Sequence, residues 1–192
     1  SRVIHSGMIN EKILEMLSGA VNYILSQQLD FSHFGSYYPN YLLTNSLEPA
    51  LKSRLAWCYG DLGIAMALWQ AGKALEKTEW KEKGFEILLQ STQRRSYESS
   101  YVVDHGICHG SSGIAMIFRK MYIETNRNEF KDAISYWLSQ TLNLANFEDG
   151  LAGYKTFTRG GWVCDYSLLT GISGIGLMLI SYLENDQQTW DE

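Results

Sequence analysis

Gly60-Asp-Leu-Gly-Ile-Ala-Met66 returns as Gly110-Ser-Ser-Gly-Ile-Ala-Met116, and again as Gly171-Ile-Ser-Gly-Ile-Gly-Leu177. Each G-x-x-G-I-[AG]-[ML] stretch opens a mostly apolar run, at 61–76, 111–125 and 173–184. The first two runs are followed by segments with one polar face, at 78–92 (TEWKEKGFEILLQST) and 128–145 (NEFKDAISYWLSQTLNLA). The recurring unit is thus an apolar inner helix followed by an amphipathic outer one. The glycines suit packing: the first permits a tight turn into the helix, and the second, three on, permits close approach to a neighbour. Phosphate cradling is the rival, but no Walker lysine follows the glycines.

Outward from the repeat, the chain reads as all-α. Asn10 is placed to cap a helix over 11–27, whose apolar positions Ile13, Leu14, Leu17, Val21, Ile24 and Leu25 share one face. Residues 29–46 lose that period, and FGSYYPN reads as an irregular loop with a short strand. The two prolines, Pro39 and Pro49, both precede the repeats, so 53–183 is expected to be almost wholly helical. Inner helices with outer partners can stack side by side and curve into a barrel of helices. About three such units are too few to close a ring, so 1–192 is expected to be a single partial domain.

Composition narrows the function. A net charge of −5 without a Lys/Arg cluster argues against nucleic acid as the partner. No apolar run is long enough to span a membrane, and the N-terminus lacks a signal-peptide pattern. Three scattered cysteines make no disulfide framework, and thiols in a reducing cytoplasm are the expectation.

Among four histidines and three cysteines, three stand together in HGICHG, residues 105–110. Aligned on the glycines, Trp57-Cys-Tyr-Gly60 matches Ile107-Cys-His-Gly110, so Cys58 and Cys108 occupy equivalent turns of successive units. Leu169 takes that place in the third. Cys58, Cys108 and His109 could converge as a zinc set, two thiolates and an imidazole being soft enough to select zinc. The other reading is that both cysteines are small buried hydrophobes at helix starts. His105 reads as a loop histidine bonded to backbone in preference to a fourth ligand. Cys164 lies off the register and reads as packing, His5 and His33 carry no signal, and Arg54, four before Cys58, would face the same way on a helical turn.

The stretches SRLAWCYGDLGIAMAL, HGICHGSSGIAMIF and SLLTGISGIGLMLISYL together resemble the lanthionine synthetase C-like family, the cyclases of lantibiotic biosynthesis. The resemblance implies an α/α toroid of which this chain is the C-terminal portion, truncated at its N-terminus. It implies a catalytic zinc held by Cys58, Cys108 and His109, with Arg54 and Tyr59 as catalytic residues. The reaction it implies is thioether ring formation, a peptide cysteine thiolate adding to dehydroalanine or dehydrobutyrine. The implied partners are a dehydrated precursor peptide, with a dehydratase and an exporter in a cytoplasmic biosynthetic complex. The family's acid/base histidine and aspartate have no match in this sequence, so the chain alone is expected to be inactive. Two alternatives share the fold: a transferase adding glutathione to dehydroamino acids, and a non-catalytic helical scaffold with structural zinc.

Overall fold

The computed structural model of the chain describes residues 10–41 and 52–184. Those residues are mostly helical and fall into two compact units, Ser1–Arg54 with Tyr59–Arg94, and Leu55–Cys58 with Arg95–Glu192.

In the first unit α1 (Glu11–Ser26) begins where expected, the Asn10 carboxamide oxygen accepting from the Ile13 amide at 2.9 Å. Its apolar face is only partly covered, and Val21 is the one residue of α1 that is buried. The segment expected to be irregular holds a four-residue helix, α2 (Phe31–Phe34), capped by Asp30. An isolated bridge joins Pro39 to Lys52. Helix α3 (Gly60–Ala74) packs along α4 (Thr78–Ser91). Leu62, Ala65 and Leu68 of α3 and Ile87 and Leu88 of α4 are buried to the last few per cent. Gly84 of α4 lies so close to α3 that a side chain there would meet the Ala65 carbonyl oxygen at 2.7 Å.

The second unit repeats the pairing. A short turn of helix, α5 (Tyr97–Ser100), precedes α6 (Ser111–Thr125), which packs along α7 (Asn128–Asn143) and touches α8 (Ile172–Leu183). Phe118 of α6 stacks on Phe130 of α7 at 6.0 Å between ring centroids, and Ile114 and Met121 of α6 and Ile134 of α7 are buried as well. The Ser111 and Thr141 hydroxyls, both buried, satisfy each other at 2.7 Å.

One expectation fails between α7 and α8. There the chain forms an antiparallel hairpin, β1 (Thr156–Thr158) and β2 (Gly161–Val163), pairing Phe157 with Trp162. β-Branched and aromatic residues around Arg159-Gly-Gly161, with Gly161 at φ +105°, favour extended strands and a turn over a helix. No helix among the described residues is long and apolar enough to cross a membrane.

Candidate functional site

The turns before α3, α6 and α8 follow one backbone plan. A side chain at Gly60, Gly110 or Gly171 would meet the carbonyl six residues earlier, of Arg54, Asp104 and Asp165 in turn. Three positions into each of the last two, Gly113 and Gly174 stand likewise against the carbonyls of Ile107 and Leu168. No side chain caps α6 or α8. Instead the Ser111 and Ser112 amides donate to the carbonyls of Asp104 and His105 at 3.0 and 3.3 Å, and Ile172 donates to Asp165 at 2.9 Å. The turn folds back over the start of its own helix and satisfies the donors left open there. The second glycine therefore admits the preceding turn. At Gly174 it also admits a neighbour, since the Ile107 Cδ1 atom would lie 2.7 Å from a side chain there.

Equivalent positions are then joined through backbone. The Cys108 carbonyl accepts from the amides of Trp57 and Cys58 at 3.1 and 3.3 Å, and the Cys108 amide donates to the Leu169 carbonyl at 2.8 Å. All of these residues lie in the second unit. His105, fully buried, ties the same turn to the hairpin. Its Nε2–H donates to the Lys155 carbonyl at 2.8 Å, and its ring stands edge-on to Tyr154 at 5.0 Å. The Thr156 hydroxyl donates to the Thr170 carbonyl at 2.7 Å and closes the frame.

The expected site residues distribute as follows. Cys58 is exposed and Cys108 and His109 are half-buried, all three in the second unit. Arg54 and Tyr59 belong to the first. Arg54 lies outside any helix, half-buried, its amide donating to the Asn40 side-chain oxygen at 2.9 Å. Tyr59 is the half-buried residue before Gly60 at the start of α3. Cys164, expected to pack, is exposed, with its thiol toward the Asp149 carbonyl at 3.4 Å. His33 is exposed against the Phe34 ring, and His5 lies outside the described residues.

The zinc expectation is corrected. Among the described residues no group of three or more His, Cys, Asp or Glu side chains is arranged to hold a metal ion. The set Cys58, Cys108 and His109 does not qualify, and a structural zinc in a scaffold falls with it. Coordination needs sulfur and nitrogen atoms converging within about 2.0–2.3 Å of one point. The register of the repeat aligns backbones at these turns, and side-chain convergence is a separate condition.

Two buried groups escaped the sequence reading. His105 was assigned to backbone bonding, but its complete burial was not legible. Asp61 stands as the lone charge in a run of otherwise apolar residues, a signal the repeat does not interpret. It is fully buried, accepting from the Tyr37 and Tyr38 amides and from Arg94.

Burial pushes His105 below the ordinary imidazole value, against the opposing pull of the Lys155 carbonyl, Asp104 and Asp165. The native state therefore holds it neutral while the unfolded chain takes a proton near pH ~6.5. Stability is full above that value and is lost as pH falls through it toward the lower native value. Urea unfolding at stepped pH should show this loss, up to about 1.4 kcal/mol per pH unit for one proton. His105→Gln, which keeps an N–H for the Lys155 carbonyl, should flatten the curve below about pH 6.5. A slope unchanged in His105→Gln would assign the acid sensitivity elsewhere.

Comparisons with known proteins place this arrangement. Residues 4–192 match the lanthionine synthetase C-like protein family. The nisin biosynthesis protein NisC of Lactococcus lactis subsp. lactis is 28% identical over 132 residues, covering 67% of this chain and 27% of that protein. A solved structure of nisin cyclase superposes with a TM-score of 0.71 at 23% identity, over 95% of this chain and 43% of that one. The chain thus spans about a quarter of the length of that curated relative and under half of the solved chain. With the family matched across nearly all of its residues, the chain belongs to the lanthionine synthetase C-like family.

Proposed function

We propose that this chain is part of a lanthionine-forming cyclase of lantibiotic biosynthesis, the C-terminal portion of an α/α toroid acting on a dehydrated precursor peptide in the cytoplasm. The observation that carries the reading is the family match over residues 4–192, together with the motifs WCYG and CHG within it. The paired helices α3–α4 and α6–α7, each opened by the same turn, support the toroid portion.

The reaction is a net addition of S–H across a carbon–carbon double bond. The peptide sulfur bonds to the β-carbon, the π electrons move toward the carbonyl as an enolate, and a proton returns to the α-carbon. No oxidant or reductant is consumed. Free thiols are mostly protonated at neutral pH, so a base is needed. In this reading the base is the family's acid/base histidine, which has no counterpart among these 192 residues. Arg54 stabilises the developing enolate charge and Tyr59 supplies a hydroxyl donor. The roles of Arg54 and Tyr59 rest on the match of SRLAWCYG to the family. A dehydratase and an exporter are the accompanying partners.

The test uses the protein that carries this chain, incubated with a dehydrated precursor peptide and followed by protection of the peptide thiols from alkylation. Ring closure is expected, with Arg54→Lys and Tyr59→Phe each slowing it about 10²-fold or more. The 192-residue chain alone should be far slower, because the family's acid/base histidine and aspartate have no counterpart within it. Added glutathione separates the transferase alternative: its capture in place of ring closure overturns the cyclase reading.

A further inference from the structure

Taking the cyclase reading for the identity of the peptide, we infer that the β1–β2 hairpin is a docking platform for its dehydrated segments. The rings on the hairpin select dehydroamino acids over serine and threonine, the residues they come from. Phe157 and Trp162 stand directly opposite each other on one face, their ring centroids 5.2 Å apart. Phe147 flanks Trp162 at 5.0 Å, and Lys155 Nζ lies 5.7 Å from the Phe147 ring centre while held by the Asp149 carboxylate. Rings of this size mostly bury in folded proteins, yet Phe157 and Trp162 are 46% and 37% exposed. Among the described residues each strand pairs only with the other, so both outer edges are open to an extended chain.

The platform is anchored through its base. Thr156 alternates with Phe157, so its side chain takes the opposite face, where it is buried and donates to the Thr170 carbonyl at 2.7 Å. The Lys155 carbonyl receives the His105 Nε2–H, and the buried Tyr154 ring stands edge-on to His105. The hairpin is thereby tied to the turn that contains the CHG motif and to the turn over 165–171, whose Tyr166, Leu168 and Leu169 are exposed as well. All of these residues belong to the second unit.

Chemistry selects the occupant. Loss of water from serine or threonine removes a hydroxyl and leaves a flat alkene conjugated with the backbone amide. That product presents a π face on which an aromatic ring can stack, and its conjugation favours an extended backbone suited to an open strand edge. Serine and threonine offer no such face, and their hydroxyls lose water contacts against exposed rings. A bilayer fits less well, because Arg159 and Gly160 form the tip and neither is an apolar side chain that could enter first.

The experiment uses the protein that carries this chain and a fluorescent precursor peptide, dehydrated or undehydrated, with its cysteines alkylated so that no ring can close. Binding is read by anisotropy. Wild type should bind the dehydrated form about 10-fold more tightly. Phe157→Thr with Trp162→Thr, which keeps strand-favouring residues in place, should abolish the preference by weakening the dehydrated form alone. Phe157→Tyr with Trp162→Phe keeps the rings and should retain it. No preference in wild type, an unchanged preference in the threonine variant, or an equal loss for both peptides would each overturn the proposal. So would self-association, or binding to phosphatidylglycerol vesicles, that depends on these rings. Ring closure with unblocked peptide reports separately on the cyclase reading. Rings formed without the preference overturn the platform alone, and the preference without rings overturns the cyclase reading alone.

Discussion

Gly113→Ala is expected to destabilise the second unit by about 3 kcal/mol, near the upper end for added bulk in a packed site. The new methyl would fall on the Ile107 carbonyl oxygen, 2.7 Å from the carbonyl carbon and 3.1 Å from Cα. All three neighbours are backbone atoms, so no rotamer change can relieve the clash. Relief requires the turn to lift from the start of α6, which would break the donations from Ser111 and Ser112. The displacement would reach Cys108, whose carbonyl receives the amides of Trp57 and Cys58. Gly176→Ala is the matched control: nothing lies within 4 Å of a side chain there, and alanine in a helix interior is favoured by up to about 1 kcal/mol. Urea unfolding should move the two midpoints in opposite directions. A Gly113→Ala midpoint equal to wild type would contradict the close approach.

Asp61→Ala should cost the first unit about 3–5 kcal/mol, because it leaves the Arg94 cation buried without its carboxylate. The Asp61–Arg94 pair is at 2.8 Å, with the two side chains 0% and 4% exposed. Asp61 also gathers the Tyr37 and Tyr38 amides, and Arg94 donates to the Ser53 carbonyl, so one carboxylate organises three stretches of chain. Arg94→Met should cost a similar amount. Replacing both, Asp61→Ala with Arg94→Met, should cost clearly less than the two single changes added together, since neither charge is then stranded. Additive losses in that cycle would show that the two side chains act separately.

How much was legible follows from the range of each cause. Helices expected at 61–76, 111–125 and 173–184 appear as Gly60–Ala74, Ser111–Thr125 and Ile172–Leu183. Those expected at 78–92 and 128–145 appear as Thr78–Ser91 and Asn128–Asn143. Periodicity, glycine and the Asn10 cap act within a few residues of themselves, so a linear reading suffices for them. The hairpin at Thr156–Val163 was marked by Arg159-Gly-Gly161, yet the helical repeat on both sides outweighed that local signal.

The amino-acid order by itself determined the family, the helix positions and the equivalence of Cys58, Cys108 and Leu169. All of these depend on motifs and on backbone geometry that glycine and hydrophobic period impose locally. Tertiary structure alone decided which side chains meet. It buried Asp61 with Arg94, 33 residues apart, and His105 against the Lys155 carbonyl, 50 residues apart. It brought Cys58 and Cys108 together through backbone without gathering three ligands around one point. The physical reason is that register places Cα atoms, whereas burial and side-chain convergence are set by packing between segments distant in the chain.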